Sequence, residues 1–282
     1  MCTPSLEITV TLDELLDDAA QAVNEPQLKM EYMNKTLNIF TNALRAYFDI
    51  AEFIASDKEY NWTMKELAKL PIEWYGGADL SKLHDLTAGA LYGTYGDIDI
   101  CITHAFFPVV AAHLKAEEDG IPLFWWKDEG WLTMSNTKTV LPDDIVNWFI
   151  KMREMGFKIK RVGFDKKFGR EFFAKMKKAR FRIVDQPQYY YVKSEGFRRI
   201  EFKAKNKKFY YVHSAAFEYC VQNVRAIEKT DDMIQYEKVD GDGGVKRIDI
   251  FDAGVFAGCQ MLSDIEKKEN ARRYFGEEKE DE

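Results

Sequence analysis

The sequence predicts an α/β fold in which helices flank a mixed β-sheet, preceded by a helical segment. Three β-rich runs, separated by turns that contain Gly or Asp, follow one another over residues 72–109, and such a succession is typical of antiparallel strands. From residue 142 the pattern changes to helix, strand, helix, strand and a closing helix, an alternation typical of parallel strands. A chain of 282 residues, 46% of them hydrophobic, can bury a sizeable core in one large domain.

Residues 1–70 are predicted to be a helical segment that serves for linking or packing. The stretch TLDELLDDAAQAV begins with Thr11 as a candidate N-cap and has an acidic first turn, two signals of a helix start. Apolar residues at three- and four-residue spacing predict a second helix over 30–56, and Pro71 ends a short third one. No pattern in this segment indicates chemistry.

Residues 71–265 are predicted to form the main domain. Its three antiparallel strands lie in IEWYGGADLS, LTAGALYGTYG and DIDICITHAFFPV, and a helix follows at VVAAHLKAEEDG. PDDIVNWFIKMREMG is amphipathic, with Pro142 near its first turn and Gly156 at its end, which predicts another helix. KIKRVGFD, FGREFFAKMKKAR and FRIVDQPQ then predict a β-α-β unit.

The last part of the domain is less regular. A basic and aromatic stretch covers residues 189–212. SAAFEYCVQNVRAI is predicted to be helical, a hairpin turn is expected around Asp240–Gly244, and a closing helix is expected from Asp249. Residues 266–282, which end in GEEKEDE, are predicted to be an acidic tail.

Several classes of protein are excluded by motifs that the sequence lacks. It contains no Gly-Lys dipeptide and no GxGxxG motif, so it has no P-loop and we expect no ATP hydrolysis. Its four cysteines lie far apart without a CxxC pair, which excludes a zinc knuckle and gives no sign of a disulfide framework. No signal-peptide pattern and no apolar stretch long enough for a bilayer occur, so we expect a soluble protein that makes no membrane contact.

Charge is distributed unevenly along the chain. The net charge is −7, yet residues 158–182 contain eleven Lys and Arg against two acids, and residues 193–208 contain seven against two. The first seventy residues contain twelve acids against six bases. A basic middle between acidic ends suggests an anionic partner such as nucleic acid, although a solvated helix face would give the same pattern.

Three acidic residues lie where a predicted strand ends or a predicted helix begins. Asp79 and Asp165 each end a strand, and Asp249, with Asp252 one turn further on, opens the closing helix. Side chains at the ends of neighbouring strands can converge, and a packed helix can add a third group. Each residue also has a simpler interpretation: a turn residue for Asp79, a helix cap for Asp165 and a helix-dipole acid for Asp249.

A cluster of such carboxylates is tolerable if some of them are protonated or if cations lie between them. Two unit charges 4 Å apart repel by roughly 4 kcal/mol at an effective dielectric constant near 20. Oxygen ligands of this kind suit Mg²⁺ or Mn²⁺, and two such ions about 4 Å apart can activate a water and stabilise the leaving oxygen of a phosphodiester. Asp85 and Asp185 are further candidates, for which a turn position is the simpler interpretation.

Three motifs resemble those of the nuclease domain of phage terminase large subunits. GGADLSKLHDLTAGALYG resembles the first nuclease strand, RVGFDKKFGREFFAKMKKARFRIV the second motif and KRIDIFDAGVFAG the third. NEPQLKMEYMNKTLNIFTNA is similar to the segment that joins the ATPase and nuclease domains of that family. The resemblance covers residues 20 to 262 and implies an RNase H-like fold.

The resemblance also implies a metal-dependent endonuclease that cuts concatemeric double-stranded DNA during packaging, using two Mg²⁺ or Mn²⁺ ions. Asp79, Asp165 and Asp249 would be the catalytic, metal-binding acids. Asp252 would be a metal-binding substitute for Asp249 or its neighbour, and Asp85 a second acid near the site. The family's ATPase half, with its Walker motifs, does not occur in this sequence, which implies a fragment or one piece of a divided protein.

The partners that the resemblance implies are double-stranded DNA, the terminase ATPase domain, the portal protein and the small terminase subunit. The implied location is the host cytoplasm, transiently at the procapsid portal. The candidate DNA-binding side chains are Lys166, Lys167, Arg170, Lys177, Lys178, Arg198 and Arg199. For the interleaved tyrosines, Tyr189–Tyr191, Tyr210 and Tyr211, base stacking is conceivable, but core or hairpin packing is the favoured interpretation. Two alternatives stay open: a resolvase- or transposase-type nuclease of the same fold, and a non-catalytic module of the packaging motor that docks to DNA or the portal.

Overall fold

The computed structural model describes residues 11, 16–17, 19–20, 46–80, 86–167, 169–241 and 244–276. Within these ranges, seven strands form one mixed sheet and two more form a hairpin. The sheet contains β1 Glu73–Asp79, β2 Thr87–Tyr95, β3 Ile98–Pro108, β4 Leu132–Ser135, β5 Lys158–Phe164, β6 Ile183–Asp185 and β7 Phe209–Tyr210, and the hairpin pairs β8 Val224–Glu228 with β9 Ile234–Lys238. The helices are α1 Ile50–Asp57, α2 Met64–Leu67, α3 Val109–Glu118, α4 Leu123–Asp128, α5 Pro142–Glu154, α6 Arg170–Lys178, α7 Tyr190–Lys205, α8 Ala215–Gln222 and α9 Asp249–Gly276.

The order of the strands confirms the predicted mixed sheet. The strands lie side by side as β4-β3-β2-β1-β5-β6, with β7 pairing with β3. The first three strands are antiparallel to one another. The β5-α6-β6 unit is parallel throughout, and β5 pairs in parallel with β1. The short strand β4, parallel to β3, was not predicted, because four residues are too few to give a strand signal of their own.

Helices cover both faces of this sheet at close range. On one face, a Cβ atom at Gly77 would lie 2.1 Å from the backbone oxygen of Ala253 in α9. On the other face, a Cβ atom at Gly76 would lie 3.0 Å from the ring of Phe149 in α5. Alternate residues of a strand point to opposite faces, so these two glycines allow β1 to lie between two helices. The central strand is therefore buried on both sides.

The segment before the sheet differs in part from the prediction. The predicted helix over 30–56 is not helical at 46–49; α1 begins at Ile50, with the side chain of Asp49 accepting a 3.0 Å hydrogen bond from the backbone of Ala51. Tyr47 and Phe48 are buried in the core, and the backbone nitrogen of Tyr47 donates to the carbonyl of Val224 at 2.8 Å. Tertiary contacts thus override the local helical periodicity. Most of residues 1–45 lie outside the described ranges.

The basic and aromatic stretch divides into two environments. Residues 190–205 form α7, whose buried Phe197, Ile200 and Ala204 follow a helical spacing. Tyr210 and Tyr211 are buried, as the packing interpretation predicted. For Tyr189–Tyr191 that interpretation was wrong, because all three side chains are exposed at the start of α7.

The hairpin is present, but its turn lies elsewhere than predicted. β8 and β9 pair from Val224↔Lys238 to Glu228↔Ile234, so the turn spans 229–233 and not 240–244. Asp231 and Asp232 have φ values of +61° and +57°, a conformation that aspartate tolerates better than most residues. The predicted helix SAAFEYCVQNVRAI ends at Gln222, and its last residues belong to β8.

The closing helix begins at Asp249, as predicted, and continues to Gly276. The predicted boundary between residues 265 and 266 therefore falls inside it. In the part of the chain that the structure describes, no helix combines the length and apolarity that a membrane span requires.

Candidate functional site

Asp79 and Asp165 lie side by side at the carboxyl edge of the sheet. Asp79 is the last residue of β1, and Asp165 directly follows β5. The two strands pair in parallel up to Ala78↔Phe164. Each aspartate directly follows one residue of this last pair, and neighbouring strands lie about 4.8 Å apart. Both side chains are half-buried. The backbone thus brings together the two strand-end acids that the sequence singled out.

The first turn of α9 reaches the same edge. Tyr75, Gly77 and Asp79 share one face of β1 by alternation. The Tyr75 hydroxyl donates a 2.6 Å hydrogen bond to Asp264, far along α9, whereas Gly77 meets Ala253, nearer its start. The helix therefore runs antiparallel to the strand, and its first turn lies over the strand end.

Two candidate acids are on this first turn, and they differ in surroundings. Asp249 is buried, with 9% of its surface exposed. Asp252 forms an ion pair with Lys193 of α7, whose Nζ lies 2.7 Å from Oδ1 and 3.0 Å from Oδ2. The hydroxyl of Tyr236 in β9 also donates to Asp252. The negative charge of Asp252 is therefore balanced within the protein.

Electrostatics links these groups to Asp79. The pKa of Tyr236 is raised well above its usual value, first by burial, then by the charge of Asp252, and also by the charge of Asp79. The ammonium of Lys193 lies 4.4 Å from the ring centroid of Tyr236 and 5.2 Å from that of Phe256, close enough for cation–π attraction. Asp79 and Asp252 thus belong to one neighbourhood.

The loop after β5 is held by two carboxylates. Oδ1 of Asp165 accepts a 2.8 Å hydrogen bond from the backbone of Lys167, and Oδ1 of Asp185 accepts one of 3.3 Å from the backbone of Lys166. Asp165 thus stabilises a turn, whereas its simpler interpretation as the cap of α6 was wrong, because that cap is Gly169. A carboxylate has two oxygens, so this role is compatible with metal binding.

Asp85 falls within residues 81–85 and lies outside the described residues.

The donor atoms fit a hard divalent cation, because all the candidate ligands are carboxylates. The candidate residues suit such a cation in the type of their ligand atoms and in the positions of their backbones. Among the described residues, no three His, Cys, Asp or Glu side chains are grouped closely enough to hold a metal ion. The cysteines at 101, 220 and 259 are buried free thiols.

The candidate DNA-binding residues fall into two groups. Five of them are exposed on the loop after β5 and on α6: Lys166, Lys167, Arg170, Lys177 and Lys178. Arg199 instead forms two hydrogen bonds, of 2.6 and 2.9 Å, with the buried Asp99. Arg198 donates to Glu201 at 2.9 Å and to the carbonyl of Asp232 at 3.0 and 3.1 Å. Both guanidinium groups therefore have partners within the fold.

Sequence reasoning missed Lys193 and Tyr236 as parts of this site. Lys193 is 59 residues from Asp252 in the chain, and no motif spacing indicates such a contact. Its only sequence signal is a place in the basic stretch 193–208, which also contains the arginines that pair inside the fold.

The chain matches, over residues 1–262, the family described as the endonuclease domain of the terminase large subunit. It belongs to this family.

Solved structures show similar folds. The HK97 bacteriophage large terminase has a TM-score of 0.67 and 17% identity, over 91% of this chain and 52% of that one. The large terminase of a thermophilic bacteriophage has a TM-score of 0.47 and 12% identity, over 90% and 53%. The magnesium-bound large terminase nuclease of a second thermophilic phage, G20c, has a TM-score of 0.44 and 12% identity, over 68% and 83%.

The likeness to the HK97 protein confirms the predicted RNase H-like α/β fold. This chain spans about half the length of that large terminase. Among curated proteins, none matches the chain.

Proposed function

We propose that this chain is a metal-dependent endonuclease that cuts concatemeric double-stranded DNA during viral genome packaging. The observation that supports this most is the meeting of Asp79, Asp165 and the first turn of α9 at one edge of the sheet, in a member of the terminase endonuclease family. Acids at the ends of neighbouring strands and a facing helix can share hard cations.

The metal-binding acids in this proposal are Asp79, Asp165 and Asp249. Two Mg²⁺ or Mn²⁺ ions bound there would supply an activated water and stabilise the leaving oxygen of the phosphodiester. We assign Asp249, not Asp252, because the carboxylate of Asp252 already has Lys193 and Tyr236 as partners. On the resemblance to the family, we also propose Asp85 as a second acid near the site.

Duplex DNA would approach across the exposed basic side chains beside Asp165. Phosphate contacts by Lys and Arg bind without regard to sequence and weaken with salt. The residues proposed are Lys166, Lys167, Arg170, Lys177 and Lys178. Arg198 and Arg199 are not among the proposed DNA-binding residues, because both already have partners within the fold. Withdrawing Arg199 would leave Asp99 as a poorly compensated buried charge.

The proposed setting is a packaging motor. Since the family is a domain of the terminase large subunit, we propose the terminase ATPase domain, the small terminase subunit and the portal protein as partners. The host cytoplasm and, transiently, the procapsid portal are the proposed location.

The test is nicking of a supercoiled plasmid by the wild-type chain and by Asp79→Asn, in Mn²⁺ and in EDTA. Asparagine keeps the shape at the strand end and removes the charge that would hold the metal. We expect nicking by the wild type in Mn²⁺ alone, nicking by the variant no faster than that of the wild type in EDTA, and unchanged duplex affinity in a gel shift. Undiminished nicking by Asp79→Asn would rule out this site, and the absence of nicking by the wild type would favour the non-catalytic docking module.

A further inference from the structure

Three consecutive tyrosines form an exposed aromatic patch where α7 begins. Tyr189, Tyr190 and Tyr191 expose 62%, 38% and 46% of their surface. The rings of Tyr189 and Tyr191 are stacked, with centroids 5.3 Å apart and planes 5° from parallel. The ring of Tyr190 stands at 83° to that of Tyr191. Contiguous exposed apolar surface of this kind marks interaction sites.

The patch borders a cleft of about 340 Å³ between α7 and β9. Its walls are held together by a buried hydrogen bond of 2.8 Å, which the backbone nitrogen of Ile234 donates to the side-chain oxygen of Ser194. The cleft is therefore a feature of the packed fold. Its lining includes Gln188, Tyr189, Tyr190, Lys193, Gln235 and Tyr236.

This cleft lies directly beside the candidate site. Lys193, on one wall, contacts Asp252 at 2.7 Å, and Tyr236, on the other wall, donates to the same carboxylate. The chain enters α7 from β6, whose end lies at the same edge as the ends of β1 and β5. Both walls of the cleft thus contact one of the candidate acids.

We propose that this tyrosine cleft binds an unpaired stretch of single-stranded DNA next to the cutting site, with bases stacked on the tyrosine rings. Aromatic rings bind unpaired bases of any sequence through their faces, whereas the bases of a duplex are already stacked on one another. Side-chain amides of Gln188 and Gln235 line the same space and offer donors and acceptors to base edges.

The position of the cleft favours nucleic acid over a protein partner. The exposed Lys166 and Lys167 lie at the same edge of the sheet, so a strand that runs from the cleft to the candidate site would have cations near its phosphates. The inference rests on the proposed function, since the strand that the cleft holds is a strand of the DNA to be cut.

The test measures fluorescence anisotropy of a labelled oligothymidylate of about eight nucleotides, within the usual site size for single strands. EDTA is present, so that cleavage plays no part. The double variant Tyr189→Ala/Tyr191→Ala should bind the oligonucleotide roughly 25-fold more weakly or worse, since it removes two rings and each stacked base contributes at least about a factor of five. Its affinity for a duplex of about 20 base pairs should change less than about twofold, and its melting temperature should be unchanged because the rings are exposed.

Two control variants separate stacking from other effects. Tyr189→Phe/Tyr191→Phe keeps the ring faces and should retain wild-type affinity for the oligonucleotide. Tyr274→Ala removes a tyrosine that is 71% exposed near the end of α9, far along the helix from the site acids, and should also bind as the wild type does.

Three results would overturn the proposal: no binding of the oligonucleotide by the wild type, equal binding by the double alanine variant, or an equal loss for duplex and single strand. A change in sedimentation of the alanine variant without a change in oligonucleotide binding would instead identify a protein-docking surface and also overturn it. If the anisotropy measurements give the expected results but the wild type does not nick plasmid, the proposal that the cleft binds single-stranded DNA is supported and the endonuclease proposal is contradicted.

Discussion

Replacing Arg199 with Ala should destabilise the fold by about 3 kcal/mol and leave the affinity for duplex DNA unchanged. The sequence placed Arg199 among the DNA-binding residues. In the structure its guanidinium group donates two hydrogen bonds, of 2.6 and 2.9 Å, to Asp99, which has no exposed surface. The substitution therefore removes the main partner of a buried charge.

The magnitude follows from what remains around Asp99. Removing one member of a buried ion pair costs about 3–5 kcal/mol, because the other charge is left in the interior. Lys203 stays 3.7 Å from Asp99, and the hydroxyl of Tyr92 still donates at 2.8 Å. The side chain of Arg199 is also 28% exposed, so solvent weakens the pair. The expected loss therefore lies at the lower end of that range.

Two measurements check the prediction for Arg199→Ala: urea unfolding monitored by circular dichroism, and duplex binding measured across a series of salt concentrations. With a slope of about 3 kcal/mol per molar urea, the midpoint of Arg199→Ala should fall by about 1 M. Lys166→Ala is the matched control: its side chain is exposed, so stability should hold while the salt slope of DNA binding falls by about 0.9. If Arg199→Ala unfolded like the wild type and lost salt slope, Arg199 would be a phosphate contact after all.

Three further outcomes are expected. Asp249→Asn should abolish plasmid nicking, whereas Asp252→Asn should slow it less and lower the melting temperature, because Lys193 loses its charged partner; nicking by Asp249→Asn with none by a stable Asp252→Asn would reverse the assignment. Gly77→Ala should destabilise the fold by about 1–3 kcal/mol or more, since its Cβ would lie 2.1 Å from the Ala253 oxygen; an unchanged melting temperature would mean that α9 can shift at little cost. The pure chain should release no phosphate from ATP, because it has no P-loop lysine; phosphate release that survives repurification would contradict this.

The parts of the fold that were predictable are those with local signals. The runs that became β1, β2 and β3 are β-rich stretches of seven to eleven residues separated by Gly and Asp turns, and α5 begins with Pro142 and is followed by Gly156 at a φ of +112°. The hairpin turn at 229–233 gave a weaker signal than the Gly-rich 240–244. Its two aspartates take left-handed conformations that only the pairing of β8 with β9 requires.

The positions of the candidate acids were predictable where they depend on strand ends or on the start of the closing helix. Asp79 and Asp165 follow from parallel pairing, because neighbouring strands bring their ends together. The contact between Lys193 and Asp252 depends on how α7 packs against α9 and is invisible in a linear sequence. The charge count failed for Arg198 and Arg199 for the same reason: counting cannot tell a solvated cation from one that neutralises a buried acid.

The balance of charge at the sheet edge explains why Lys193 matters to the proposed reaction. In the proposed reaction, DNA must bring a phosphate to a place where several carboxylates meet, and their negative charges would repel it. The acids there that are candidates for metal binding are Asp79, Asp165, Asp249 and Asp252, and the nearby lysines are Lys166, Lys167 and Lys193. Because Lys193 neutralises the one acid that we do not assign to metal, bound cations need only balance the remaining three. Two divalent ions would then leave the edge positive, which favours the approach of the phosphodiester.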